Sequence, residues 1–158
     1  MGVALGQHFL TDHEVLRDIV TAADVQSDDV VLEIGPGKGV LTEALAKKAK
    51  QVIAVELDRG LVAELQKKFR DKKNVTIVHE DILRWWGEDG PSYAAREEPR
   101  QGNCFVDGAF KVVANIPYRI TAPILRLFLE HEPRPSLIAL MVQKEVAERV
   151  CAKPGEMS

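Results

Sequence analysis

Cysteine is scarce in this sequence. Only Cys104 and Cys151 occur among 158 residues, with no C-x-x-C spacing and no histidine at metal-ligand spacing from either. Neither a disulfide framework nor a zinc site is expected. Long apolar runs are missing too: no stretch approaches the roughly 20 residues of a membrane span, and no basic-then-apolar leader opens the chain. The expectation is a cytoplasmic protein with neither metal nor membrane. Positive charge is not in excess, since 21 Lys and Arg face 24 Asp and Glu, for a formal charge of −3. The local runs Lys47, Lys48, Lys50 and Lys67, Lys68, Arg70, Lys72, Lys73 could touch phosphates, but they read first as solvated helix faces. No internal repeat or low-complexity tract appears.

What is present suits one domain with a real core, at 46% apolar content. The chain is organised around Glu33-Ile34-Gly35-Pro36-Gly37-Lys38-Gly39, where the apolar run Val30-Val31-Leu32 gives way to three alternate glycines. A strand over Val30–Ile34 therefore ends in a loop that lets a ligand approach the backbone. A helix is expected over Leu41–Lys50, its free N–H groups facing the same space. Strand-to-helix units repeat: Gln51–Leu57 as strand, then Leu61, Val62, Leu65 and Phe69 at helical spacing, then Val75–Val78 as strand. Ahead of them, Thr11 and Glu14 have capping-box spacing, and Val15, Leu16, Ile19, Val20 and Ala23 form one helical stripe. A parallel, doubly wound α/β sheet follows.

Between Arg84 and Ala109 the periodicity dissolves into an excursion loop, with a short helix near Tyr93–Glu97. Trp85 and Trp86 read as packing for this loop, with contact to a base or a partner as the alternative. Order returns with a strand over Phe110–Ala114, then a helix over Ala122–Leu129, a strand over Ser136–Val142 and a helix over Gln143–Val150.

In an open parallel sheet, ligands bind beyond the carboxyl ends of the strands. The unusual residues lie there: the glycines, Glu56, Asp81 and Asn115-Ile116-Pro117-Tyr118. Glu56 stands about twenty residues past the glycines, where a carboxylate can accept from both ribose hydroxyls. Gly35, Gly37 and Gly39 alternate, with Val40 where a dinucleotide fold has its third glycine. E-x-G-x-G-x-G instead resembles the first motif of S-adenosylmethionine-dependent methyltransferases, and Asp81 beside Ile82 then falls where such enzymes pair with the cofactor's adenine amino group. An adenine amino nitrogen is a poor nucleophile, because its lone pair is delocalised into the ring. The Asn115 side-chain oxygen and the Ile116 carbonyl could grip its hydrogens, Pro117 would fix the carbonyl's direction, and Tyr118 would stack on the base. The plain alternative is an Asx-Pro turn before a helix.

GQHFL, EIGPGKG, Glu56, EDIL and NIPY, in this order, together with QKEVAERV and its following Lys-Pro-Gly, resemble the ribosomal RNA adenine dimethyltransferase family. The resemblance spans Leu5 to about Gly155. It implies a Rossmann-like S-adenosylmethionine-dependent methyltransferase that dimethylates two adjacent adenines of small-subunit (16S-type) ribosomal RNA, acting as a monomer on immature small subunits. It also implies that Gln7, His8 and Leu10 line the cofactor site beside Gly35, Gly37, Glu56, Leu57, Asp81, Ile82 and Asn115. His8 stands where many relatives carry Asn, and Met1-Gly2-Val3-Ala4-Leu5 stands where they carry basic residues. The sheet's final strands and a small helical RNA-binding domain are expected beyond Ser158. Two other readings remain open at this point: a large-subunit adenine methyltransferase of the macrolide-resistance type, and a cofactor-binding fragment or assembly factor without turnover.

Overall fold

Five strands alternate with helices along the chain. In the computed structural model, which describes residues 13–86, 105–116 and 118–153, the order is α1 (His13–Ala22), β1 (Val30–Ile34), α2 (Val40–Ala46), β2 (Gln51–Glu56), α3 (Arg59–Phe69), β3 (Val75–His79), α4 (Ile82–Trp85), β4 (Phe110–Asn115), α5 (Thr121–Glu130), β5 (Leu137–Met141) and α6 (Lys144–Cys151). A 3₁₀ turn, Tyr118–Ile120, leads into α5.

The strands form one sheet in the order β3-β2-β1-β4-β5, and every pair is parallel. The chain runs outward from β1 through β2 to β3, then returns to the other side of β1 with β4. The direction of winding therefore reverses between β1 and β4, and such a switch point leaves a crevice at the carboxyl ends.

Each strand feeds two cores, because successive side chains point to opposite faces. Leu32, Ile34, Ile53, Val55, Phe110, Val112 and Ala114 pack towards α4 and α5. There Trp86, fully buried, meets Phe128 at 4.8 Å, Phe105 at 5.2 Å and Phe110 at 5.4 Å between ring centroids. Val31, Val52, Val113 and Ala139 pack the other way, against Ile19, Val20, Leu41 and Leu45 of α1 and α2. The Lys111 ammonium joins β4 to the loop before β1, 2.8 Å from the Asp29 carboxylate.

Some boundaries differ from the sequence expectation. α2 ends at Ala46, three residues short of the last apolar position of its stripe, Ala49, which is nevertheless buried. The expected excursion loop begins later than Arg84: Arg84 and Trp85 belong to α4, whose cap is Asp81. Both tryptophans are buried, which bears out packing over an exposed contact. The expected helix near residues 93–97 and the capping residue Thr11 lie outside the described residues.

Candidate active site

Strand register brings the site together. Ile34 pairs with Val55 on one side and Ala114 on the other, Glu56 pairs with His79, and Asn115 with Met141. One step beyond Ile34, Gly35 therefore stands level with Glu56 and Asn115, and His79 and Met141 complete the row. At about 4.8 Å between neighbouring strands, Glu56 and Asn115 lie about 10 Å apart across Gly35. Asp81 follows two residues after His79.

The glycine loop is held in one shape. Gly35, Gly37 and Gly39 have φ of 67°, 58° and 73°, a region that costs other residues about 1–2 kcal/mol each. A Cβ on Gly35 would meet nothing within 4 Å, so its missing side chain leaves open space above the row. A Cβ on Gly39 would stand 2.7 Å from both Leu65 and Phe69, so that glycine serves close packing against α3. The Gly35 N–H donates to the Val55 carbonyl at 2.9 Å and the Gly39 N–H to the Pro36 carbonyl at 2.9 Å. Lys68 reaches back from α3, its ammonium donating to the Lys38 and Gly39 carbonyls at 3.2 Å each.

Glu56 is the polar hub. Its Oε2 accepts from the Gly37 N–H at 3.1 Å, and its Oε1 from the Leu57 and Asp58 N–H groups at 2.9 and 3.0 Å. It is buried at the end of β2, while Leu57 beside it is 57% exposed. His79 Nε2 lies 3.2 Å from the Leu57 carbonyl. Asp58 caps α3, and Asp81 caps α4 by accepting the Leu83 N–H on Oδ1 at 3.0 Å.

Asn115 ends β4, half-buried, and Ile116 is buried in the aromatic core. Tyr118 opens the 3₁₀ turn. Pro117 and the expected Gln7, His8 and Leu10 lie outside the described residues.

Two residues that sequence reasoning did not place in the site belong to its support. Lys68 read as part of a solvated run, yet it ties the glycine loop to α3. Glu33 read only as the residue ahead of the glycines. It is 1% exposed, and neither carboxylate oxygen has a hydrogen-bond partner among the described residues. Burial pushes its pKa up to about 8; Thr42 and Lys68 pull it down, Glu56 pushes it further up. Thr42 faces it from α2 without a well-formed hydrogen bond, since the Thr42 hydroxyl is also unpartnered. The available signal was an acid inside the otherwise apolar run Val30–Ile34.

Residues 3–158 match the family model described as ribosomal RNA adenine dimethylase. A ribosomal RNA small subunit methyltransferase A from Dehalococcoides mccartyi is 47% identical over 153 residues, covering 97% of this chain and 48% of the relative. Among solved structures, a dimethyladenosine transferase from Plasmodium falciparum superposes with a TM-score of 0.72 at 32% identity, over 94% of this chain and 48% of the other. The 23S rRNA methyltransferase ErmE superposes with a TM-score of 0.68 at 31% identity, over 89% of this chain and 50% of the other. The chain spans about half the length of the curated relatives it matches. With the family model matched along nearly its whole length, the chain belongs to the ribosomal RNA adenine dimethylase family.

Proposed function

We propose that this chain binds S-adenosylmethionine along the row formed by Glu56, Gly35 and Asn115 and methylates the exocyclic amino groups of two adjacent adenines in small-subunit ribosomal RNA, twice each. The observation that carries the reading is the row itself, since it sets an acceptor-rich carboxylate, an open glycine and an amide level with one another at the switch point.

The residues fit the cofactor. Gly35 leaves room for it. A carboxylate has about four lone-pair positions; Glu56 uses three on N–H groups and keeps capacity for a ribose hydroxyl. Asp81, with Ile82, would meet the adenine amino group, and Leu57 would flank it. Gln7, His8 and Leu10 are assigned to the methionine side by family likeness alone. Once bound, the cofactor supplies a methyl group made electrophilic by its sulfonium.

The rest is the work of the chain. The Asn115 side-chain oxygen and the Ile116 carbonyl accept hydrogen bonds from the N–H groups of the target amino group, drawing it towards tetrahedral geometry and freeing its lone pair. Pro117 offers no competing N–H. Tyr118 stacks on the base, a contact of about 1–3 kcal/mol in single-strand recognition. Orientation and electrostatics then supply the rate. No strong base is required, because the methylated nitrogen is cationic and strongly acidic and loses its N–H proton to solvent after transfer. The partner is ribosomal RNA in an immature small subunit, met in the cytoplasm; small-subunit RNA is favoured by the names of the sequence relatives. No helix among the described residues is long and apolar enough to cross a membrane.

Methyl incorporation into immature small-subunit RNA tests this, using the chain and a longer protein that contains it. Label should enter two adjacent adenines. Asn115→Ala should lower incorporation about a hundredfold or more, with a smaller loss of cofactor affinity. Near-normal methylation by Asn115→Ala would remove Asn115 from the chemistry, and cofactor binding without any incorporation would favour a non-catalytic module.

A further inference from the structure

Glu33 is a buried carboxyl that the proposed chemistry leaves unused. It lies on β1 one residue before Ile34, on the face that carries the glycine loop, with its register partners Ala54 and Val113 apolar. The groups that face it are Thr42 from α2, Glu56 from β2 and the Lys68 ammonium from α3. Lys68 is itself shared with Glu43, 3.4 Å away, and with two loop carbonyls. The Thr42 hydroxyl and N–H stand near the carboxyl and favour its ionised form, but neither carboxylate oxygen has a well-formed hydrogen bond among the described residues. Burial of the charge outweighs them, so the group stays neutral until a positive charge arrives.

We propose that Glu33 is protonated in the free protein and releases its proton to solvent when the cationic cofactor binds over the loop, so that the site favours the sulfonium cofactor over its neutral thioether product. This inference rests on the cofactor reading above. S-adenosylmethionine carries a sulfonium, an ammonium and a carboxylate, for a net charge of +1. Its product, S-adenosylhomocysteine, has lost the sulfonium charge and is neutral overall. Attraction to an ionised Glu33 is therefore strongest before methyl transfer, and loss of the charge lets Glu33 take a proton back. A pKa raised to about 8 leaves Glu33 mostly neutral near neutral pH in the free protein, and opposite charge lowers it again. Affinity for the cofactor then rises with pH through the window below about 8, at most about tenfold per pH unit.

Calorimetric titration of the whole chain near neutral pH, in two buffers of different ionisation enthalpy, counts the protons released. Wild type should release up to about one proton more than Glu33→Gln on binding S-adenosylmethionine. That difference should be smaller with S-adenosylhomocysteine, and Glu33→Gln should narrow the preference for cofactor over product severalfold. Subtracting the variant cancels protons exchanged by the ligand's own amino group. Equal release from the two proteins overturns the inference. If Glu33→Gln does not fold, wild-type affinities across the pH range decide: a steeper rise for S-adenosylmethionine than for S-adenosylhomocysteine supports the inference, and parallel profiles overturn it. Binding without differential proton release removes only this role of Glu33, whereas no binding of either ligand removes the cofactor reading and this inference with it.

Discussion

Side chains that point from the sheet towards α4 and α5 are uncharged throughout and meet a cluster of aromatic rings. Those that point towards α1 and α2 from the same strands include Glu33, Glu56, Lys111 and Asn115 among Val31, Val52 and Val113. Both faces carry an apolar core, but the period of two that builds a strand keeps charge off one of them and admits it to the other. A register slip of one residue would bury Glu56 and Asn115 among tryptophans, so the aromatic face also fixes where the site residues stand.

The sharpest way to break this division is to damage the aromatic face alone. Trp86→Ala should lower stability by about 3–5 kcal/mol, read by denaturant unfolding, while any folded fraction binds cofactor as before. A comparable loss of cofactor affinity in the folded protein would show that the faces are not separable.

The charged face should answer to pH. Folded Glu33 keeps its proton up to about 8, whereas its ordinary value is 4.5. Within that window the folded state holds the extra proton, so stability falls as pH rises, by about 1.4 kcal/mol per unit at most. Glu33→Gln should flatten that slope and raise stability near neutral pH by about 3 kcal/mol. A variant whose unfolding profile keeps the wild-type slope would place the titration elsewhere.

A smaller effect is expected where the two requirements meet. Gly39→Ala combines a left-handed backbone with a Cβ 2.7 Å from Leu65 and Phe69. The expected loss is about 1–3 kcal/mol, with weaker cofactor binding because the loop must shift. Full stability with unchanged affinity would mean that α3 yields without moving the loop.

Much of this division was legible in the sequence. Val30–Ile34 and Gln51–Glu56 read as strands because a sheet covered on both faces needs apolar side chains at nearly every position. The glycines, Glu56, Asp81 and Asn115 could be assigned to strand ends, since motif order and strand order agree. Trp85 and Trp86 were harder: α4 has only 4 residues, too few to show a period, and their neighbours Phe105 and Phe128 come from distant parts of the chain. Lys68 does lie on an exposed helix face, as its run suggests, but its bonds to backbone carbonyls 29 and 30 residues away could not be foreseen, because backbone carbonyls leave no mark in a sequence. Glu33 stood in plain view, but its isolation depends on what α2 and α3 bring near it.

Glu56 joins the glycine loop to the proposed ligand, and calorimetric titration of wild type and Glu56→Ala with S-adenosylmethionine tests that most directly. Loss of charge-assisted bonds should weaken binding by about tenfold or more while the circular dichroism spectrum stays that of a folded α/β protein. A folded Glu56→Ala with wild-type affinity would contradict the placement of the cofactor along this row.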